Sequence, residues 1–82
     1  MTNIKLNYNR IKEMLAKQNK TNIELARYIR ISGSTVSNWC TNTTQPEMRN
    51  LYMIAEFLEV EAGELLTLRK NLAIVRRKKR KL

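Results

Sequence analysis

Several residue types are missing or scarce in this sequence, and each absence excludes a class of site. Among 82 residues there are no histidines and only one cysteine. One cysteine excludes an internal disulfide, and without histidine the chain offers no plausible zinc site. No metal cluster, phosphate-binding loop or activated nucleophile is visible either, so we expect neither an enzyme nor a bound cofactor.

Long hydrophobic runs are also missing. No segment approaches the roughly 20 apolar residues needed to cross a bilayer, and the N-terminus lacks the apolar core of a signal peptide. We therefore expect a soluble intracellular protein that avoids membranes and keeps its cysteine reduced. A chain of 82 residues allows one small domain, and compact helices with short loops fit that limit best.

Positive charge is concentrated at the C-terminus. Residues 1–66 hold eight Lys or Arg against seven Glu, whereas residues 67–82 hold eight basic residues and no acid, so the net charge of +9 lies almost wholly in the second segment. We divide the chain accordingly into a domain, residues 1–66, and a basic tail, residues 67–82. Closely packed like charges repel one another and favour disorder in isolation, but they attract a polyanion. The clustered basic residues of the tail are Arg76, Arg77, Lys78, Lys79, Arg80 and Lys81.

The stretch between residues 21 and 39 predicts two short helices joined by a tight turn. Thr21 and Glu24 have the spacing at which a hydroxyl and a carboxylate cap each other's free backbone N–H groups, so a helix is expected to start at Thr21. Ser32 can cap the helix that follows. The apolar residues that face inward at helical spacing are Leu25, Ala26 and Ile29 in the first helix, and Val36, Trp39 and Cys40 in the second.

The outward face of the second of these helices carries small, uncharged residues: Gly33, Ser34, Ser37 and Asn38. Such a face suits entry into a DNA groove, from which bulky or acidic side chains are excluded. Asparagine can pair bidentately with adenine, whereas serine reaches only a short distance and discriminates bases poorly. On an isolated helix the same residues would simply be solvated, so the surrounding motif decides between the two interpretations.

Three further helices are predicted from the spacing of apolar residues. The first runs from about residue 7 to 18, with an inner face of Tyr8, Ile11, Met14 and Leu15. Pro46 and Glu47 precede another, whose apolar stripe is Leu51, Ile54, Ala55 and Leu58. Glu61 and Glu64 lie in the opening turn of a short fifth helix. The prediction is an all-α, five-helix domain followed by the basic tail.

Together these features resemble the lambda-repressor-like family, the Cro-type and XRE-like helix-turn-helix proteins, from about Ile11 to Leu66. The matching pieces, in order, are Leu25-Ala26, Ser32 through Trp39, Pro46, and the apolar series Leu51, Ile54, Ala55, Leu58 and Val60. The resemblance implies a homodimeric transcriptional repressor that binds double-stranded DNA. Its third helix would lie in the major groove of a partly palindromic operator, with half-sites about 10 base pairs apart. We expect it in the bacterial cytoplasm, associated with the nucleoid, and no small-molecule effector is evident.

The resemblance assigns DNA contact to the start of the second helix, to the third helix and to the loop after it. These residues are Asn22, Ser32, Gly33, Ser34, Thr35, Ser37, Asn38, Thr41, Asn42, Thr43 and Thr44. The loop has hydroxyls and amides where the family usually has Lys and Arg, so we expect it to position the protein more than to strengthen binding. Asn22 is shorter than the glutamine that often touches phosphate there. The clustered basic residues of the tail are expected to contact phosphates as well.

Several positions depart from the family pattern. Leu15 and Cys40 stand where many members have an ion-paired arginine and glutamate, so we expect an apolar contact between them. Arg30 occupies a turn position that is normally glycine, and a positive φ there would cost arginine about 1 kcal/mol relative to glycine. Glu59 likewise replaces a common glycine, and Asn42 replaces another at a predicted left-handed helix end.

Two other functions remain open on the sequence alone. An antitoxin or similar interaction module would bind a protein partner through the segment from residue 65 to 75, and exposed apolar residues of the fifth helix would also suit pairing of two copies of the chain. An architectural, nonspecific nucleic-acid binder would instead be dominated by the basic tail. Six clustered basic residues also resemble a nuclear import signal, but a repressor-like domain points to a bacterium, phage or mobile element.

Overall fold

The computed structural model describes residues 6–72. Four α-helices, Ile11–Lys17 (α1), Asn22–Ile29 (α2), Gly33–Cys40 (α3) and Met48–Leu58 (α4), precede two 3-10 helices, Ala62–Leu65 and Arg69–Asn71. The β structure of residues 6–72 is confined to one isolated antiparallel bridge, between Asn9 and Leu66. The all-α class is thus confirmed for this part of the chain. The predicted contacts of residues 76–81 lie outside the described residues.

A single hydrophobic core joins the four α-helices and the first 3-10 helix. α2 packs against both α3 and α4, α1 packs against α3, and the first 3-10 helix covers α4. Trp39 is 3% exposed and belongs to this core, as predicted from its spacing to Val36. The side chains most completely removed from solvent are Ile11, Leu25, Val36, Ile54, Leu58 and Leu65. Across residues 6–72 no helix has the length and apolarity to span a membrane.

The starts of α2 and α3 are fixed by the predicted caps. The Thr21 hydroxyl accepts a hydrogen bond from the Glu24 backbone N–H at 3.1 Å, and the Glu24 carboxylate accepts one from the Thr21 N–H at 2.8 Å. The Ser32 hydroxyl accepts a hydrogen bond from the Thr35 N–H at 3.2 Å. These bonds satisfy backbone donors that have no partner inside a helix, so both predicted helix starts are confirmed.

α1 is shorter than predicted and begins at Ile11 rather than near residue 7. Asn9 is the reason, because its Oδ1 accepts a hydrogen bond from the Ile11 N–H at 3.0 Å while its backbone pairs with Leu66. An asparagine that captures a nearby N–H in this way favours a turn over a helix. Tyr8 therefore lies before the helix and is 46% exposed, and its predicted place on the inner face is wrong.

The predicted fifth helix is a 3-10 helix of four residues, so residues 6–72 contain four α-helices and not five. Its opening turn does use both predicted glutamates, because the Glu61 N–H donates to the Glu64 carboxylate at 3.0 Å. The helix ends when Leu66 takes an extended conformation and pairs with Asn9. Thr67 continues this pairing, since its N–H donates to the Tyr8 carbonyl at 2.9 Å.

Left-handed backbone conformations occur at non-glycine residues. Arg30, Asn42 and Glu59 have φ angles of 68°, 61° and 57°, and Asn19 has a φ of 58°. The first three are the positions at which the resemblance implies glycine, the residue that adopts this conformation most readily. Asparagine tolerates this conformation well, whereas arginine and glutamate are strained in it.

Asn9 connects three parts of the fold that are distant in sequence. Its Nδ2 donates to the Trp39 carbonyl at 3.0 Å and to Gln45 Oε1 at 2.7 Å. Its backbone exchanges two hydrogen bonds with the Asn42 side chain, of 2.9 and 3.1 Å. The side chain is 5% exposed and satisfied throughout. The N-terminal segment is thereby held against the end of α3 and the loop that follows it.

Replacing Asn9 should destabilise the fold more than replacing an exposed asparagine nearby. Asn9→Ala leaves the Ile11 N–H without its partner, at a cost of about 1–3 kcal/mol for a buried group left unsatisfied, and removes the bonds from Nδ2 to the Trp39 carbonyl and to Gln45. Thermal unfolding followed by circular dichroism measures this loss. Asn7→Ala, at an exposed position, is the control, and equal melting temperatures for the two variants would contradict the assigned role of Asn9.

Candidate nucleic-acid interface

The predicted recognition face of α3 is exposed over its whole length. Ser34, Ser37 and Asn38 point to solvent, while the opposite side of the helix is buried in the core. Gly33 at the first turn is also exposed and has no atom within 4 Å of the position that a Cβ would occupy. The helix therefore presents a narrow, uncharged ridge that nothing else in residues 6–72 covers.

Hydroxyl groups cluster at the start of α3. The Ser32 Oγ lies 2.9 Å from Thr35 Oγ1 and 3.3 Å from Ser34 Oγ, in addition to capping the Thr35 N–H. Ser32 and Thr35 are thus engaged in building the helix start, whereas Ser34 shares only one longer contact with them. Of these three predicted contacts, Ser34 has the side chain most available to a ligand.

The loop after α3 folds back onto the end of that helix. The backbone N–H groups of Thr43 and Thr44 both donate to the Asn38 carbonyl, at 2.8 and 3.2 Å. Thr41 Oγ1 donates to the same carbonyl at 3.2 Å and lies 2.8 Å from Thr43 Oγ1. Thr43 and Thr44 are exposed beside Asn38. The predicted loop contacts are therefore brought next to the recognition face.

Asn42 has a role inside the fold that was not predicted, and its predicted DNA contact stays a prediction. Its Oδ1 accepts hydrogen bonds from the Asn9 N–H and from Gln45 Nε2, its Nδ2 donates to the Asn9 carbonyl, and its own N–H donates to the Trp39 carbonyl. These polar groups are already bonded within the fold. Asn42 therefore positions the loop, a role that its left-handed conformation also supports.

Cys40 and Asn22 join the end of α3 to the start of α2. The Cys40 thiol donates to Asn22 Oδ1 across 3.4 Å, which leaves the Asn22 amide N–H groups as the available end of that side chain. Burial raises the pKa of the Cys40 thiol, so the group is protonated and able to donate at neutral pH. Leu15 shares the core with Cys40, and their direct contact stays a prediction.

Two basic residues near α3 were not assigned to the site from sequence. Arg27 and Arg30 are exposed and line an open groove together with Gly33; its other lining residues are Ile23, Ala26 and Ile31. Within residues 6–72 the one ion pair lies elsewhere, between Arg10 and Glu13 at 3.1 Å. Their positions in the sequence, two basic residues just before the Ser32 cap of α3, are the signal that could have identified them.

An exposed polar helix held by a capped turn against a second helix defines a helix-turn-helix protein. A family model described as helix-turn-helix matches residues 11–65, which is most of the chain. The chain belongs to this family, the XRE-like, lambda-repressor-like helix-turn-helix proteins. A comparison with curated proteins gives no significant match.

One solved structure is similar over most of both chains. It is a crystal structure of a "putative DNA-binding protein" from Bacteroides fragilis, with a TM-score of 0.72 and 39% sequence identity. The similarity covers 76% of this chain and 98% of the other. The residues without a counterpart in the other protein therefore belong almost entirely to the present chain.

Because the pKa of Cys40 is raised in the folded protein, stability against unfolding is expected to fall as the pH rises above neutrality. The folded state holds the thiol pKa above the unfolded value, near 9.0, so this stabilisation is complete below that pH and declines as the pH rises through it. Cys40→Ala removes the titrating group. Urea unfolding between about pH 7 and 10.5 should show a shallower loss of stability in the variant than in the parent protein. Parallel curves would contradict this.

Proposed function

We propose that this protein is a sequence-specific regulator of transcription that binds duplex DNA with α3 in the major groove. The observation that carries the proposal is the exposed, uncharged ridge of α3, fixed by the Ser32 cap and unobstructed by residues 6–72. Membership of the helix-turn-helix family and the similarity to a protein titled as DNA-binding support it.

The side chains of the ridge divide into base-reading and positioning roles. Asn38 is proposed to pair with adenine, with Ser34 and Ser37 making shorter base or sugar contacts. Gly33 has neither a positive φ nor a packing contact that would require glycine, so its bare backbone suits close approach to the DNA. Asn22 and the threonines of the loop are proposed to donate to phosphate oxygens, which fixes the register of α3 on the duplex.

The basic tail is proposed to add affinity without sequence preference. Leu72, the last described residue, lines the same open groove as Thr41 at the end of α3. Residues 73–82 follow directly after Leu72 in the chain. The clustered Lys and Arg of the tail would bind phosphates of the same duplex and release counterions.

A homodimeric repressor is the form of regulator that we propose. Tyr8, Leu66 and Leu68 expose apolar surface around the pairing between the first and last described segments, and this surface would suit a second copy of the chain. An antitoxin-like partner would use the same region. Sedimentation of the purified protein with and without DNA distinguishes self-association from a requirement for another polypeptide.

Selection of binding sites from random DNA tests the proposal directly. The full chain should enrich a partly palindromic motif, whereas a variant with Ser34→Glu, Ser37→Glu and Asn38→Glu should enrich none, because acidic side chains are repelled by the groove. Sequence-specific binding through α3 would be refuted if both proteins enriched the same motif, or if the parent chain enriched no motif.

Asn38→Ala should reduce specificity rather than general affinity. Loss of a bidentate base contact costs about 1–3 kcal/mol on the selected site and leaves binding to random DNA nearly unchanged. Fluorescence anisotropy on the selected and the random duplex, at one salt concentration, measures the ratio of the two affinities. A similar loss on both would show that Asn38 acts on the backbone or on folding instead.

Removing residues 73–82 should weaken binding to every sequence alike. The truncation leaves residues 6–72 in place and removes six basic residues. If half of them contact phosphates, the log–log salt slope should fall in magnitude by about 2.7, from about 0.9 for each contact. An unchanged slope would exclude residues 73–82 from contact with DNA, and a loss confined to the selected site would assign them a role in specificity.

A further inference from the structure

We propose that Arg30, supported by Arg27, contacts DNA phosphate beside the start of α3, an inference that rests on the DNA binding proposed above. Both guanidinium groups belong to exposed side chains that line the groove next to Gly33. No acidic residue lines this groove. Neither arginine forms a salt bridge or a side-chain hydrogen bond with another described residue, so both positive charges face outward unneutralised.

The backbone conformation of Arg30 lowers the stability of the folded state. It ends α2 with φ 68° and ψ 50°, a left-handed conformation in which glycine or asparagine is less strained than arginine. A buried or ion-paired side chain could offset such strain, but the Arg30 side chain is exposed and has no such partner within residues 6–72. Glu59 shares this exposed left-handed conformation, so strain alone does not identify a ligand, and what distinguishes Arg30 is its positive charge in the groove beside Gly33.

The proposed recognition surface also needs cations that it does not itself contain. The α3 ridge is uncharged, and the loop after it offers hydroxyl and amide groups. Attraction of phosphate depends on Lys and Arg, and each contact releases counterions from the duplex. Arg27 and Arg30 supply two such charges at the N-terminal end of α3, opposite the end at which the loop threonines lie.

The chain contains a matched control for the backbone at Arg30. Glu59 ends α4 in nearly the same conformation, with φ 57° and ψ 45°, and is likewise exposed. It carries the opposite charge and does not line the groove beside Gly33. Glycine at either position relieves the same strain, but only glycine at Arg30 removes a cation from the proposed interface.

The experiment compares Arg30→Gly, Arg30→Lys and Glu59→Gly in the full chain, measuring melting temperature and affinity for the selected duplex as a function of salt. Arg30→Gly should raise the melting temperature by roughly 4 °C, because relief of this strain is worth several degrees in a domain of this size. It should also weaken binding about eightfold at 0.1 M salt, with the slope reduced by about 0.9 and the difference vanishing toward 1 M salt.

Arg30→Lys should retain the parent slope without the gain in melting temperature, because it keeps the charge and the Cβ. Glu59→Gly should match the gain in melting temperature and leave the slope unchanged. Arg27→Gln should lower the slope as Arg30→Gly does.

An unchanged slope for Arg30→Gly, with the parent chain still binding its site, would overturn this inference and leave the proposed function standing. Failure of the parent chain to bind DNA at all would refute the proposed function instead.

Discussion

The buried hydrogen bonds of Asn9 are the interaction on which the arrangement of the molecule depends. One side chain bonds the carbonyl at the end of α3, the N–H that opens α1 and a glutamine of the loop after α3, while its backbone pairs with Leu66. The hydrophobic core alone would not determine how the loop after α3 is oriented, because that loop is polar and largely exposed. Asn9 holds the loop through directional hydrogen bonds, which position the loop next to the proposed recognition face of α3.

The parts of the fold that were predictable are those determined by residues close in sequence. The cap of α2 needs only Thr21 and Glu24, and the cap of α3 needs only Ser32 and the turn that follows, so both helix starts could be predicted. The core faces of α2, α3 and α4 followed from helical spacing for the same reason. The true start of α1 was missed although its cause is local, the bond from the Ile11 N–H to Asn9 Oδ1. The end of the last predicted helix could not be predicted, because Leu66 pairs there with the distant Asn9.

The candidate site divides in the same way. The exposure of Ser34, Ser37 and Asn38 followed from the burial of the opposite face of α3. Contacts between elements were not accessible to pattern analysis. The bond from Cys40 to Asn22 requires that the end of one helix meet the start of another, and the capture of Asn42 by Asn9 requires a partner far away in the chain. The role of Asn42 in holding the loop could therefore not be predicted, although its backbone conformation was predicted correctly.

The pairing of the first and last described segments has a consequence for the order in which contacts form. The four α-helices all precede Leu66 in the chain, and the bonds of Asn9 to the end of α3 and the loop after it do not need Leu66. Only the bridge between Asn9 and Leu66 waits for the C-terminal segment. Contacts between segments this far apart carry the cost of closing a long loop and form late. The helical core can thus form before the bridge between the first and last described segments closes, and this bridge is expected to be among the last contacts of the fold to form.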